Sequence, residues 1–429
     1  MVCNEKERTI VSEYNRLIFI DSMWQSDLAR FDYALCHGCG LVYATRRPDR
    51  DEYEFLYTNF NEFLLRTPNP GSLNIAELTD DKKEMIDGSF LPWWEVRSAT
   101  TQGHPIRKAL AKELRNLVSY APYIMIHVPL EGAKVLHIRA KSSTFADFMK
   151  RVLGAAQVDL ITLFPPHTYL AQKSEGFRAI PCLDYEDFQI PFDEKYNLII
   201  ENHILTHMLD SNRTFEVFAS HLEDGGVIHL QQELSDDLLF KKKNNLFAEL
   251  RPFHYQQFDV PTMERMLDRY GFEVIFLRRE DSDLATNFKS ELFGLARLTH
   301  KPRSCPRIGN AELRARLEMY VQWRDESILS LPKERCRALF GHELQQVWSR
   351  VKARGGDKLG KNRKPVALRK FREMEMEDEE LEIGSLIGQT SETASKGKSL
   401  TENAANASKG KSLTESAANW VRSRINQRH

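Results

Sequence analysis

Three groups of residues in this chain have types and spacings that could do chemistry. Cys36-x-x-Cys39 places two thiolates in one tight turn, and Gly38 and Gly40 supply the backbone freedom that a metal knuckle needs. Cys3 is the one thiol upstream, so Cys3, Cys36 and Cys39 form a candidate ligand set for a structural zinc. A closed zinc site needs four ligands, and the competing reading is a ribbon that packs without metal. His37 lies inside the knuckle loop and is expected to point away from the metal. In the second group, His203, His207 and Asp210 follow an apolar strand at Leu198–Glu201. Ligands of open α/β sheets bind beyond the carboxyl ends of strands. His207 is therefore the candidate general base, against a plainer role in capping or packing the next helix. The third group is the turn Arg139-Ala140-Lys141-Ser142-Ser143. It joins a strand at Val135–Ile138 to a helix at Thr144–Leu153, with a second strand at Val158–Phe164. A nucleotide-binding βαβ unit opens in this way, but its turn carries glycines so that backbone can approach the ligand at positive φ. This turn has none.

Two other signals carry less. Gly-Lys-Ser occurs twice in a tandem repeat, ASKGKSLTENAAN (394–406) and ASKGKSLTESAAN (407–419). A phosphate loop needs a glycine five positions before the Gly-Lys pair; Glu392 and Ala405 stand there, and no strand precedes either copy. The basic stretch Arg350–Arg372 lacks interleaved aromatics and is followed by an acidic block, Glu373–Glu382, so a solvated linker is expected rather than a nucleic-acid surface.

The elements that must position these groups are legible in the patterning. The chain has 429 residues, enough for several domains, and a formal net charge of −1, which provides no general attraction to nucleic acid or acidic membrane. Six dispersed cysteines fit a reducing compartment. The polar start MVCNEKERT lacks the apolar core of a signal peptide, and the longest apolar run, Tyr120–Val128, is too short to span a bilayer. A cytoplasmic location is expected.

Residues 1–60 read as a small β-rich module, with strand character at Ile10–Ile20 and Phe31–Leu35. Residues 61–130 read as a helical connecting region, with a turn at Asn69-Pro70-Gly71 and a basic-faced helix at Pro105–Val118. Residues 131–300 alternate strands and helices, which predicts an α/β domain with a mostly parallel sheet and helices on both faces. Further strands are expected at Arg178–Pro181, Val227–Gln231, Val274–Arg278 and Leu292–Leu298, and further helices at Thr214–Leu222 and Thr262–Tyr270, the last stopped by Gly271. Residues 301–383 read as a charged extension, helical over 310–350. The repeat-bearing tail, 384–429, has too few large apolar residues to form a core.

Three segments carry a family resemblance. CHGCGLVYATRRP (Cys36–Pro48) resembles the Cys-x-x-Cys-Gly-Leu-Val-Tyr-x-x-Pro-Arg-Pro signature of class I S-adenosylmethionine-dependent methyltransferases that carry an N-terminal zinc-ribbon-like module. LEDGGVIHLQQE (222–233) is similar to that family's glycine-glycine loop and following strand, and HYQQFDVPTMERMLDRYGFEVIFL (254–277) to its closing helix and strand. The resemblance implies a Rossmann-like class I methyltransferase sheet, with the β-rich module before it and the helical extension after it. It implies S-adenosylmethionine as cofactor and zinc as a structural ion. By motif it maps cofactor contacts onto His137, Arg139, Lys141, Leu163, Asn202 and His203. The departures fall on those contacts. His137-Ile138-Arg139-Ala140-Lys141 stands where the family has Asp-x-Gly-x-Gly, and Leu163 where it has a ribose-binding carboxylate. Two functions follow. One is a divergent methyltransferase acting on a small-molecule or carbohydrate substrate. The other is a pseudo-methyltransferase that binds a protein partner or acts as a scaffold.

Overall fold

The computed structural model describes residues 7–12, 32–46, 120–140, 142–162, 165–172, 177–181, 188–233, 254–280, 291–301, 307–330 and 344–353. Cys3, Lys141, Leu163, the helix expected at Pro105–Val118, the turn at Asn69–Gly71, the acidic block and the repeat lie outside them. Described residues fall into two units, one through Arg307 and one from Ile308.

The first unit is built on a seven-stranded sheet in the order β10-β11-β8-β7-β4-β5-β6. Its strands are β4 (Lys134–Ile138), β5 (Gln157–Thr162), β6 (Arg178–Pro181), β7 (Tyr196–Asn202), β8 (Leu222–Glu233), β10 (Phe272–Glu280) and β11 (Glu291–Leu298). Pairings from β6 through β8 are parallel, while β11 enters antiparallel between β8 and β10. The central strands are nearly continuous Val, Ile and Leu and are buried, as a sheet covered on both faces requires.

Helices do cover both faces. Residues 120–127 are helical (α1) and stack Tyr120 on Phe293 at a ring separation of 4.1 Å. The expectation stopped at an apolar run there. The helix α4 (Ser211–His221) sets Phe215 edge-on to Phe272, 6.2 Å away. Phe272 pairs with Leu298, which is five residues from Phe293 along β11 and so points to the opposite face. The helix after the glycine-less turn is α2 (Thr144–Arg151), two residues shorter than expected. Of the strand expected over Val158–Phe164, β5 runs to Thr162 and the last two residues lie outside the described ones; a helix at Pro165–Gln172 (α3) follows. Prolines are compatible with a first helical turn, where no N–H is needed. Helix α5 (Val260–Arg269) starts on a capping box between Asp259 and Thr262 and ends at Gly271, which has φ 77° and would bring a Cβ to 3.1 Å from the Lys301 nitrogen.

A smaller antiparallel sheet joins β1 (Arg8–Ser12), β2 (Tyr33–Cys36) and β3 (Val42–Ala44) to β9 (Gln256–Gln257). The β-rich segment near the start thus shares its sheet with a strand from the far end of the α/β region. The second unit holds α6 (Asn310–Ser330) and α7 (Leu344–Ala353), joined by Arg350 donating to both carboxylate oxygens of the buried Asp325 at 2.9 and 2.7 Å. Among the described residues no helix is long and apolar enough to cross a membrane.

Candidate functional site at the carboxyl ends of the central strands

Strands β4 and β7 lie side by side, with Ile138 opposite Glu201. Both leave the sheet through a non-glycine residue in the left-handed region: Arg139 at φ 64° and His203 at φ 57°. Such residues cost of order 1–3 kcal/mol each and persist only when surrounding contacts hold them. Those contacts are visible. Arg139 Nη1 donates to the His203 carbonyl at 2.9 Å and makes a longer contact, 3.5 Å, with that of Asn202. His203 donates its own N–H to Gln231 O on β8 at 2.7 Å. The Arg139 side chain therefore crosses the ends of the two central strands. Past it, Ala140 N–H returns to Ile161 O, and the turn closes on Ser142, whose Oγ contacts Thr144 Oγ1 at 2.8 Å.

Glu201 is the residue that sequence reasoning passed over. It is fully buried at the end of β7. Its Oε1 accepts the N–H groups of Ile204 (2.5 Å) and Leu205 (3.3 Å) and the side-chain amide of Gln232. Among the described residues Oε2 has no hydrogen-bond partner, and neither does the Gln232 carbonyl oxygen. Burial pushes the Glu201 carboxyl up to about 7, against the opposing pull of its three donors and of Arg139. A glutamate inside the apolar run Leu-Ile-Ile-Glu was the available signal.

The remaining site candidates are dispersed. His137 is buried in β4 with its ring edge-on to Phe145 at 5.6 Å. His207 sits in the 3-10 turn Leu205–His207, buried, its ring perpendicular to that of His254 at 4.8 Å. Asp210 is the N-cap of α4, accepting from Asn212 N (3.0 Å) and Arg213 N (3.3 Å), so its carboxylate orients the helix rather than His207. Gln256 ties this turn to the small sheet: its amide donates to Met208 O at 2.8 Å and its carbonyl accepts from Ser211 Oγ at 2.5 Å.

Cys36 and Cys39 are buried thiols in the β2–β3 hairpin, which Gly40 turns at φ 79°. Arg265 of α5 donates to the Cys39 carbonyl at 2.8 Å, and His37 is drawn to Thr9 Oγ1 at 2.8 Å. Among the described residues no three or more His, Cys, Asp or Glu side chains converge to hold a metal. Among the described residues the donor set there is two thiols, and Cys3 lies outside them; a closed zinc site needs four ligands.

A parallel sheet with its first strand central, and a return strand inserted antiparallel beside the last, defines a Rossmann-like fold of the class I methyltransferase kind. Residues 110–277 match the family model described as a methyltransferase domain. No curated protein matches the chain. Among solved structures the chain is similar to an S-adenosylmethionine-dependent methyltransferase from Mesorhizobium loti, at 15% identity over 43% of this chain and 99% of that one, with a TM-score of 0.36. It is also similar to magnesium protoporphyrin IX methyltransferase from Synechocystis PCC 6803, at 16% identity over 50% and 99%, with a TM-score of 0.35.

The residues present do not fit the cofactor in the manner the family motif implies. Where that motif puts glycine, Arg139 holds the left-handed conformation and extends a guanidinium across the strand ends.

Proposed function

We propose that this chain is a methyltransferase-fold protein that works as a binding or scaffolding module for a protein partner, and that its cofactor end is closed by one of its own side chains. The observation that carries this reading is the Arg139 guanidinium, 2.9 Å from the His203 carbonyl, between the ends of β4 and β7. A cofactor lying against that turn would have to displace a charge-assisted hydrogen bond, worth roughly 1.5–3 kcal/mol, before forming contacts of its own. Calorimetric titration of the full chain with S-adenosylmethionine and with S-adenosylhomocysteine tests it. No saturable heat up to about 1 mM, a binding free energy weaker than about −4 kcal/mol, is expected. Micromolar binding of either compound overturns the reading.

A second reading is a divergent methyltransferase for a small-molecule or carbohydrate substrate. Glu201 favours it. A buried carboxyl titrating at about 7, beyond the end of a central strand, is suited to accept or hold a proton. The same titration discriminates, since this reading requires cofactor binding.

A further inference from the structure

We propose that the ends of β7 and β8 form a receptor for a small organic cation bearing N–H donors, and that Arg139 is its built-in occupant. The inference rests on the reading that Arg139 closes this end of the sheet, and it adds what the closure satisfies.

The chemistry of the site is one-sided. Arg139 Nη1 reaches the carbonyls of Asn202 and His203, and the adjacent Glu201 and its partner Gln232 each keep one side-chain oxygen, Oε2 and Oε1, with no hydrogen-bond partner among the described residues. Glu201 and Gln232 are fully buried and bonded to each other through the Gln232 amide, so their remaining oxygens are fixed in place. Buried acceptors without donors are costly, and a buried carboxylate needs a counter-charge. Arg139 answers the two carbonyls and acts on Glu201 through its field, yet no donor among the described residues reaches Glu201 Oε2. A ligand suited to all four acceptors carries positive charge and several N–H groups, as guanidinium, amidinium and primary ammonium groups do. A quaternary ammonium has the charge without the donors. A ligand of this class competes directly with Arg139, and displacing it frees the turn after β4. The left-handed strain at Arg139 favours release, because the residue is held at φ 64° partly by this contact.

The test uses the full chain and Arg139→Gly, in which glycine takes the positive φ without strain; Arg139→Asn, also tolerant of that region, is the second variant. Ethylguanidinium chloride is titrated at pH 8 and constant ionic strength, by calorimetry and by thermal shift, with tetramethylammonium chloride as the control. Saturable ethylguanidinium binding is expected in both variants, at least about tenfold tighter than in the unmodified chain, a difference of about 1.4 kcal/mol. Adding Glu201→Gln to Arg139→Gly should weaken it by about the same factor. Equal affinity in variant and unmodified chain, no saturation in either variant, matching saturation by tetramethylammonium, or indifference to Glu201→Gln would each overturn the proposal. Failure here leaves the closed-cofactor reading standing. Tight S-adenosylmethionine binding by the unmodified chain would instead remove that reading without touching the ethylguanidinium result.

Discussion

Asp159 and Glu201 are buried carboxyl groups on the same face of one sheet. Asp159 on β5 lies opposite Leu136 of β4, and Glu201 on β7 lies opposite Ile138, two residues further on. Their surroundings differ completely. Each oxygen of Asp159 is engaged: Arg178 donates through Nε at 2.8 Å and through Nη2 at 2.5 Å, Tyr196 Oη at 2.8 Å, and Gln157 Nε2 at 2.6 Å. Glu201 gathers three donors on one oxygen and, among the described residues, has none on the other. A saturated network holds the fold and offers nothing to a ligand. A half-saturated one, at the strand ends where this class of sheet binds ligands, is poised to receive a donor. The same fold thus carries one carboxyl for stability and one for recognition.

The largest expected effect breaks the saturated side. Asp159→Ala strands the Tyr196 hydroxyl in the core and removes one of the two carboxylate partners of Arg178, leaving Glu194 at 2.9 Å. Because the Arg178 side chain is 45% exposed and can re-solvate, the loss should be about 2–4 kcal/mol, below that of a fully buried ion pair. Urea unfolding followed by circular dichroism measures it. An unchanged midpoint would show that the network does not hold the sheet.

Glu201 predicts an effect of opposite sign that depends on pH. Its folded pKa, about 7, lies above the ordinary carboxyl value near 4.5. Between those two values the folded state binds more protons than the unfolded state, so stability falls as pH rises from about 4.5 to about 7 and then levels off. The full span is of order 3 kcal/mol. Glu201→Gln keeps an oxygen for the three donors and removes the charge. It should flatten this limb and melt above the unmodified chain at pH 8. Parallel melting curves across pH 5–8 would place the titration elsewhere.

Much of the fold was legible because it rests on local pattern. The strand Arg178–Pro181 was read to its boundaries, and Gly271 marked the end of α5. What escaped depended on distant partners or on caps. β9 is two residues long and exists because Val42 and Tyr43 pair with it, more than 200 residues away in the chain. Asp210 stood in a candidate catalytic group, although an aspartate just before Ser-Asn-Arg also reads as an N-cap, which it is. Arg139 was legible as an anomaly, a long side chain where glycine was due; its grip on His203 was not, because that contact spans 64 residues. Asp159 and Glu201 each sit in an apolar strand run, which signals burial, but which of their oxygens find donors is decided by tertiary packing.

Tyr196→Phe separates the saturated network from ordinary packing at smaller scale. The ring stays in the core and only the hydroxyl bonded to Asp159 is lost, so the expected cost is about 1–2 kcal/mol. Asp159 and Arg178 hold the Tyr196 hydroxyl in one network, and burial together with Asp159 pushes its pKa upward. A double-mutant cycle with Arg178→Met should therefore show coupling of at least about 0.5 kcal/mol. Additivity would mean that the three groups are neighbours without being a network.

The smallest expected effect sharpens the comparison most. Arg139→Gly removes a hydrogen bond to a carbonyl, which destabilises, and relieves a non-glycine residue at φ 64°, which stabilises. Glycine also loses more backbone entropy on folding, by roughly 0.5–1 kcal/mol. These contributions nearly cancel, so the melting temperature should move by no more than the equivalent of about 1 kcal/mol. A substitution at the centre of the candidate site would then be almost silent in stability, whereas one at Asp159, which lies opposite Leu136, three residues before Arg139, would not be. If Arg139→Gly instead costs as much as Asp159→Ala, Arg139 is a structural strut. The open oxygen of Glu201 would then be a flaw that the fold tolerates rather than a place kept for a ligand.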